Sequence, residues 1–375
     1  MSGAVGPFLD GGGSGPPSNT PGGDLSITNP QSLPLPPIPP NVASVASPTD
    51  GVPQTGQPLW IRRWSLTIGP AGGEPNAARD LSQFSFEFEV NMQQNATAWL
   101  ARVKVWNPPP DLVGKVGKEY TNVLLKAGYM APSKQYGTVA QGQINYYHYG
   151  RQSETDTYLE VFMAMHDTAY TAAVVNTWVP AGSTTDVVID QLLIALAPYG
   201  VTRSQITQMS QEKSPRGRAI VGMVRDVARD IAQSEDAKWF IDTDGKFHVL
   251  RQDEILALGS ESVPILSTKT GLIGWPTQTL GNGVAIQSLL NPAIHPGKKI
   301  KVEADINRRV AGPGTELIET QFKAQEPLTA AISTDGYYTV GKVTHSGQNR
   351  GNAWYSHIVT QAFANQKPSI LTSAG

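Results

Sequence analysis

The chain has 375 residues, a formal net charge of -2 and a pI near 6.3, so no basic field marks it for nucleic-acid or anionic-membrane binding. It contains no cysteine, which excludes disulfides, thiolate nucleophiles, iron–sulfur clusters and cysteine zinc sites. Charged residues supply only 16% of the chain, against 37 glycines and 29 prolines, a turn-rich profile that leans towards β-structure.

Residues 1–58 stand apart, with 23 glycines or prolines, no Lys or Arg, and only Asp10, Asp24 and Asp50 as acids. A segment so poor in apolar side chains cannot offset its ordering entropy with a core of its own. Leu33-Pro34-Leu35-Pro36-Pro37-Ile38-Pro39-Pro40 favours polyproline II, a stiff rod without internal hydrogen bonds. The segment reads as a disordered tail or as an extended arm that orders against neighbouring subunits. Its start lacks the basic and apolar regions of a Sec signal, and no apolar run approaches the roughly 18 residues that span a bilayer, so membrane insertion is not expected.

Strand-like alternation begins at Trp60. Phe84, Phe86, Phe88 and Val90 recur at period two, and Trp99, Ala101, Val103 and Val105 repeat the pattern before Asn107-Pro108-Pro109-Pro110 stops it. Further strands are expected at Val123–Met130, Thr138–Tyr149 and Tyr158–Met165, which predicts an antiparallel barrel or sandwich over residues 60–180. The period then changes. Ser183-Thr184-Thr185-Asp186 fits a capping-box start for a helix striped by Ile189, Leu192, Leu193 and Leu196 and ended by Pro198 and Gly200. A second helix is predicted from about Arg216 to Gln233, with Ile220, Val224, Val227, Ala228 and Ile231 as its stripe. Asp242-Thr243-Asp244-Gly245 then reads as the turn of a hairpin between Trp239–Ile241 and Phe247–Val249.

From Val263 the strand pattern returns, at Gly271–Thr279, Val284–Leu290, Lys299–Ala304, Tyr338–Thr344 and Trp354–Gln361. Tyr338 and Val340 share a face while Val343 has the other parity, so Gly341 is expected to mark a β-bulge. The predicted class is mainly β with an α+β insertion: two antiparallel β-barrels flanking a small helix-containing domain, behind an extended arm.

Nothing in the chain has the spacing of a catalytic or metal site. The six histidines are His148, His166, His248, His295, His345 and His357, and no two form His-Glu-x-x-His or share a helical face. His345 and His357 are close enough in sequence to meet across a hairpin, either as a metal pair or as ordinary strand histidines satisfied by hydrogen bonds. Ser210-Gln211-Glu212-Lys213 and Lys269-Thr270-Gly271 match elements of penicillin-recognising enzymes. Pro215 follows too soon for a helix, and no Ser-Asp-Asn stands between them, so the match reads as chance. Asp242–Gly245 fails as an EF-hand, because its glycine comes early and no Glu stands at the twelfth position. Gly11-Gly12-Gly13-Ser14-Gly15 lacks the Lys and helix of a phosphate loop. Tyr146-Tyr147-His148-Tyr149 offers a stacking platform for a sugar or base, or strand residues that pack at an interface.

Several blocks carry a resemblance. In the front region they are Phe84, Phe86 and Phe88, then Ala101–Asn107, Leu125-Lys126-Ala127-Gly128-Tyr129 and Gly142-Gln143-Ile144. Near the end come Gly271-Leu272-Ile273-Gly274, Leu289-Leu290-Asn291-Pro292 and His345-Ser346-Gly347, followed by Arg350-Gly351-Asn352 and Trp354. In this order, over residues 60–365, they resemble phage baseplate hub proteins, the Mu-like group especially. With the Pro/Gly-rich arm (1–58) and a C-terminal tail (368–375) outside it, the resemblance implies a first tube-like barrel (59–182), an α+β insertion (183–260) and a second tube-like barrel (261–367). It implies no catalytic, cofactor or metal residue; Gly347 and Gly351 read as positive-φ turn residues and Trp354 as buried packing. It further implies a homotrimer whose six barrels cap a sixfold tail tube, or its distal tube-initiator protein, and whose other end takes a threefold central spike. Tape-measure and baseplate wedge proteins would be further contacts, genomic DNA would pass without specific binding, and the place would be the tail baseplate of a virion assembled in the host cytoplasm. The arm's lack of basic charge suits a segment beside such a channel. The competing readings are a tail-associated cell-wall hydrolase or glycan-binding module, and the hub of a bacterial contractile injection system.

Overall fold

A computed structural model describes residues 61–71, 77–130, 135–251, 263–279, 283–303 and 336–361. The expected arm (1–58) and tail (368–375) lie outside the described residues. In chain order the front strands are β1 (Arg62–Gly69), β2 (Arg79–Asp80), β3 (Phe86–Gln93), β4 (Leu100–Trp106), β5 (Asn122–Tyr129), β6 (Tyr136–Arg151) and β7 (Thr157–Ala164), with the short helix α1 (Pro110–Val113) after β4. The middle holds α2 (Asp167–Ala172), β8 (Val174–Val179), α3 (Thr185–Leu196), β9 (Thr202–Ile206), β10 (Arg218–Met223), α4 (Val224–Ser234), β11 (Ala237–Ile241) and β12 (Lys246–Arg251). The back strands are β13 (Ile265–Leu266), β14 (Leu272–Thr279), β15 (Gly283–Leu289), β16 (Lys299–Val302), β17 (Tyr337–Gln348) and β18 (Trp354–Gln361).

The fold is mainly β with an α+β insertion, as the alternation predicts. The two strand regions do more than flank the insertion. They share one curled 13-stranded sheet, ordered β14-β15-β18-β17-β3-β4-β7-β6-β5-β1-β2, with β16 on β17 and β13 on β16. The junction is the antiparallel ladder β3–β17, which pairs Glu87 with Gln348 at one end and Gln93 with Lys342 at the other. Period-two sequence makes this possible. Phe86, Phe88, Val90 and Met92 of β3 and Ala101, Val103 and Val105 of β4 are buried on one side, while Glu87, Glu89, Arg102 and Lys104 occupy the other. Gly341 marks a bulge as expected, since the β17–β18 register shifts between Val340 and Lys342. The shift turns Val343, His345 and Gly347 into the core.

A second core fills the insertion. Val188, Ile189, Leu192 and Leu196 of α3 pack with Val224, Ala228 and Ile231 of α4 and with Trp239 and Phe247. Tyr170 of α2 stacks on Trp239, and its hydroxyl accepts the Ile241 N–H at 3.0 Å. Phe240, on the other side of β11, stacks on Trp99 at 5.6 Å and so fastens the insertion to the main core.

The second predicted helix is corrected. Residues 218–223 form β10, antiparallel to β8, and the helix starts only at Val224. Ile220 falls on the helical stripe by spacing, yet it also sits on the inward face of a strand. The β8 pairing captures it, and Gly222, at φ 149°, lies outside helical geometry. The capping box is partial. Thr184 takes the N-cap position of α3 without a side-chain cap bond, and the Thr185 hydroxyl instead donates to Glu235 at 2.8 Å.

Candidate functional site

The region around His345 and Trp354 is the tip of the β17–β18 hairpin. Gly347 pairs with Trp354, and the turn closes through Gln348 N–H to the Ala353 carbonyl at 2.8 Å. The turn residues then clasp the front strands. The Asn349 amide accepts the Phe86 N–H at 2.9 Å and donates to the Phe84 carbonyl at 2.7 Å, while its own N–H donates to Phe86 at 3.1 Å. The Arg62 guanidinium donates to the carbonyls of Gly351 and Asn352 at 2.6 and 2.9 Å and lies 5.4 Å from the Trp354 ring. Arg350 donates to the Gln83 carbonyl at 2.9 Å. Hydrogen bonds to charged donors are worth more than neutral ones, so this clasp ties the two strand regions at a second place besides the β3–β17 ladder.

Of the hairpin glycines Gly347 is required, and for a reason other than the one expected. Neither Gly347 nor Gly351 has positive φ. Gly347 supplies space: a Cβ there would lie 2.5 Å from Phe88 Cζ and 2.8 Å from Trp354 Cε3. Its absence lets Phe88 meet Trp354 edge-on at 5.5 Å.

His345 is buried, with Nδ1 2.8 Å from Ser356 Oγ. Ser356 Oγ accepts the Asn291 N–H at 3.1 Å, leaving its hydroxyl hydrogen for the imidazole. His357 pairs with Thr344 instead and is exposed on the opposite face, so the two histidines cannot share an ion. The Ser210–Lys213 segment carries no helix, and the Ser210 N–H is held by Glu235. Thr270 closes a turn by donating to the Ile265 carbonyl at 2.6 Å. Asp242–Gly245 is the expected hairpin turn, with Gly245 at φ 74° and the Asp242 carboxylate accepting the N–H groups of Asp244 and Lys246.

One cluster is invisible to sequence spacing. Asp242 and His248 pair at 3.0 Å, and both line a cavity of about 20 Å³ with half-buried His295, whose charge is felt at His345. That volume suits one water. Burial pushes the Asp242 carboxyl up, but the His248 hydrogen bond and charge outweigh it and hold the group below its ordinary value. Among the described residues no three His, Asp or Glu side chains converge so as to hold a metal.

The cluster has a consequence in acid. Desolvation lowers His295 to about 4, helped by the Lys298 charge, and lowers His345 to about 3, helped by His295. Unfolded, both take a proton near the ordinary histidine value, so the unfolded chain binds more protons below about pH 6.5. Their stabilisation is full above that pH and drains away as pH falls towards 4, by up to about 1.4 kcal/mol per pH unit for each ring. Urea midpoints measured from pH 7 to 4.5 should fall steeply, and His345→Gln should flatten the slope. A midpoint independent of pH over that range contradicts the assignment.

The exposed side chains concentrate elsewhere. Tyr146, 60% exposed, lies beside Phe162 at 5.8 Å, with His148 beside Tyr158 at 5.6 Å. The platform expected at Tyr146–Tyr149 therefore stands at a sheet boundary. β5 pairs with β6 only as far as Gln143, and from Tyr146 to Arg151 the outer edge of β6 has no neighbouring strand among the described residues. At the far end of the sheet β14 is also an edge. Its register shifts between Ile273 and Thr277, and the displaced Trp275 is 67% exposed.

No family model matches the chain, and no curated protein does. Solved structures resemble it in fold. The 43 kDa tail protein of prophage MuSo2 from Shewanella oneidensis is 8% identical, with 80% of this chain and 96% of that one covered and a TM-score of 0.48. A tail protein from Neisseria meningitidis MC58 is 9% identical over the same shares, with a TM-score of 0.47. The E. coli c3393 protein, a component of the type VI secretion system, is 12% identical over 75% of this chain and 74% of its own, with a TM-score of 0.43.

Proposed function

We propose that this chain is a structural protein of a phage tail, a baseplate hub that assembles as a closed ring of three around the tail axis. The observation that carries the reading is the run β14-β15-β18-β17-β3-β4-β7-β6, eight strands wide: among the described residues its β14 end is open, and its β6 end is open from Tyr146 to Arg151, beyond the stretch that β5 covers. Open edges are normally covered or paired, because they template association. A single chain cannot join its own two ends without closing a small barrel, whereas head-to-tail contacts between copies close a larger ring. The exposed side of the run also suits a channel wall. Glu87 and Glu160 face Lys104 and Glu89 faces Arg102 across neighbouring strands, so this part of the face is polar and mixed in charge. DNA would pass such a wall without being held.

Each copy brings a front and a back strand region, so three copies present six to a sixfold tube while offering threefold symmetry to a central spike. The arm, the domain boundaries and the tube, spike, tape-measure and wedge contacts belong to this proposal, as does placement in the virion baseplate. The role is mechanical rather than catalytic.

The chain's lack of cysteine makes the test clean. Native mass should give a trimer. Tyr149→Cys and Trp275→Cys, combined in one chain, should be joined by a short bis-maleimide into covalent trimers. Either variant alone should stay uncrosslinked, because a head-to-tail contact never brings a residue against its own copy. A monomeric native mass, or dimers from one cysteine alone, would overturn the ring.

A further inference from the structure

The insertion carries a second unpartnered surface. β8 and β10 form a two-stranded ribbon with no third strand on either side among the described residues. Its inner face is occupied, since Val175, Val179 and Ile220 are buried in the insertion core. Its outer face carries three large apolar side chains around Asn176: Val174, Trp178 and Val221 are 56%, 64% and 68% exposed. Two-stranded ribbons are marginal alone, and exposed large apolar side chains that include a Trp are the usual mark of a contact anchor.

At one end the ribbon opens onto a cleft of about 290 Å³ lined by Val179, Lys213, Arg216 and Arg218, with Glu212 and Glu235 as its acids. Glu235 is already engaged, accepting from the Thr185 hydroxyl at 2.8 Å and the Ser210 N–H at 2.9 Å. Lys213, Arg216 and Arg218 have no carboxylate within ion-pair distance among the described residues. Apolar surface and a cleft with more cations than carboxylates thus lie end to end on one ribbon.

We infer that this ribbon receives an extended, acidic segment of a partner protein, which adds as a further strand and places carboxylates in the cleft beside Arg216 and Arg218. Strand addition supplies affinity through main-chain hydrogen bonds, while alternate side chains meet Trp178 and Val221. The occupant is another kind of chain rather than a sibling, a step that rests on the ring reading. Ring contacts use the outer edges of β6 and β14, whereas β7 runs directly into α2 and β8 at Ala164, the end of the strand remote from the β6–β7 turn. The ribbon therefore belongs to a rim of the ring and faces along its axis, where a stacked partner would sit.

The probe is a fluorescently labelled ten-residue peptide of alternating valine and aspartate, titrated into the full chain and followed by anisotropy at two salt concentrations. Saturable binding is expected, weaker at high salt, and about tenfold weaker for a valine–lysine peptide, since each tenfold step needs only about 1.4 kcal/mol. The double charge reversal Arg216→Glu and Arg218→Glu, on an exposed surface that leaves the core intact, should weaken it at least as much. Trp178→Ser and, separately, Val221→Asp should do the same without changing the native mass. Absence of saturable binding, or equal binding of the lysine peptide, overturns the inference. If the ring crosslinks still form, the hub reading survives that outcome. If Val221→Asp dissolves the oligomer, a sibling covers the ribbon and the inference is wrong.

Discussion

Trp354→Ala should cost about 4 kcal/mol of folding stability, near the top of the range for removal of a buried aromatic. The ring is fully buried, meets Phe88 at 5.5 Å and Trp64 at 6.1 Å, and sits under the Arg62 guanidinium. These partners come from β1 and β3 while Trp354 stands on β18, so the cavity would open where the front and back regions join. The clasp should loosen with it, because Arg62 loses its aromatic support and its three carbonyl acceptors, Gln348, Gly351 and Asn352, all lie just before Trp354. Marginal stability makes this a severe loss, given that a domain has only about 5–15 kcal/mol to lose. Trp354→Phe should cost well under half as much. It keeps most of the packing and removes a buried indole N–H that has no acceptor among the described residues. Urea denaturation with a matched m-value checks both, and a loss below about 1 kcal/mol for the alanine variant would show that the seam tolerates a void there.

The seam itself was only half legible from the residues. Features set by neighbours along the chain came through: the alternation of β3 and β4, the Asp242–Gly245 turn, and the parity change that marks the Gly341 bulge. Features set by distant partners did not. β10 reads as the first turns of a helix because Ile220 lies on the α4 stripe, and only its pairing with β8, some forty residues earlier, makes it a strand. Periodicity is a local signal, and tertiary contacts override it where a segment fits both patterns. The Asp242, His248, His295 and His345 cluster was out of reach for the same reason. Its members come from three separated segments, and none stands at ligand spacing. The open edges of β6 and β14 were hidden too, because a strand's own sequence does not say whether its neighbour extends as far as it does. The stacking run at Tyr146–Tyr149 was visible as residues, but its place at a sheet boundary was not.

Gly347→Ala should destabilise the chain by about 2–3 kcal/mol, the cost of forcing extra volume into a packed core, while Gly351→Ala should cost little. The contrast follows from what each new methyl group would meet. At position 347 the obstacles are the rings of Phe88 and Trp354, both buried and locked against one another. At position 351 the obstacles all belong to Gln348, an exposed residue: its amide end can turn away, and its Cβ, 2.9 Å off, needs only a small shift of the open turn. Because neither glycine has positive φ, Gly347→Asn should be no better than alanine, although Asn is the usual substitute where a left-handed backbone is required. Room rather than backbone conformation is the requirement, and a second change tests that directly. Phe88→Leu shortens the ring that blocks position 347, so it should cost stability alone yet restore part of what Gly347→Ala loses. The coupling in a double-mutant cycle should then be favourable by about 1 kcal/mol or more, as contacting residues allow. Additive losses in that cycle, or rescue by Asn at 347, would return Gly347 to the role of an ordinary turn glycine and leave the Phe88–Trp354 contact without its cause.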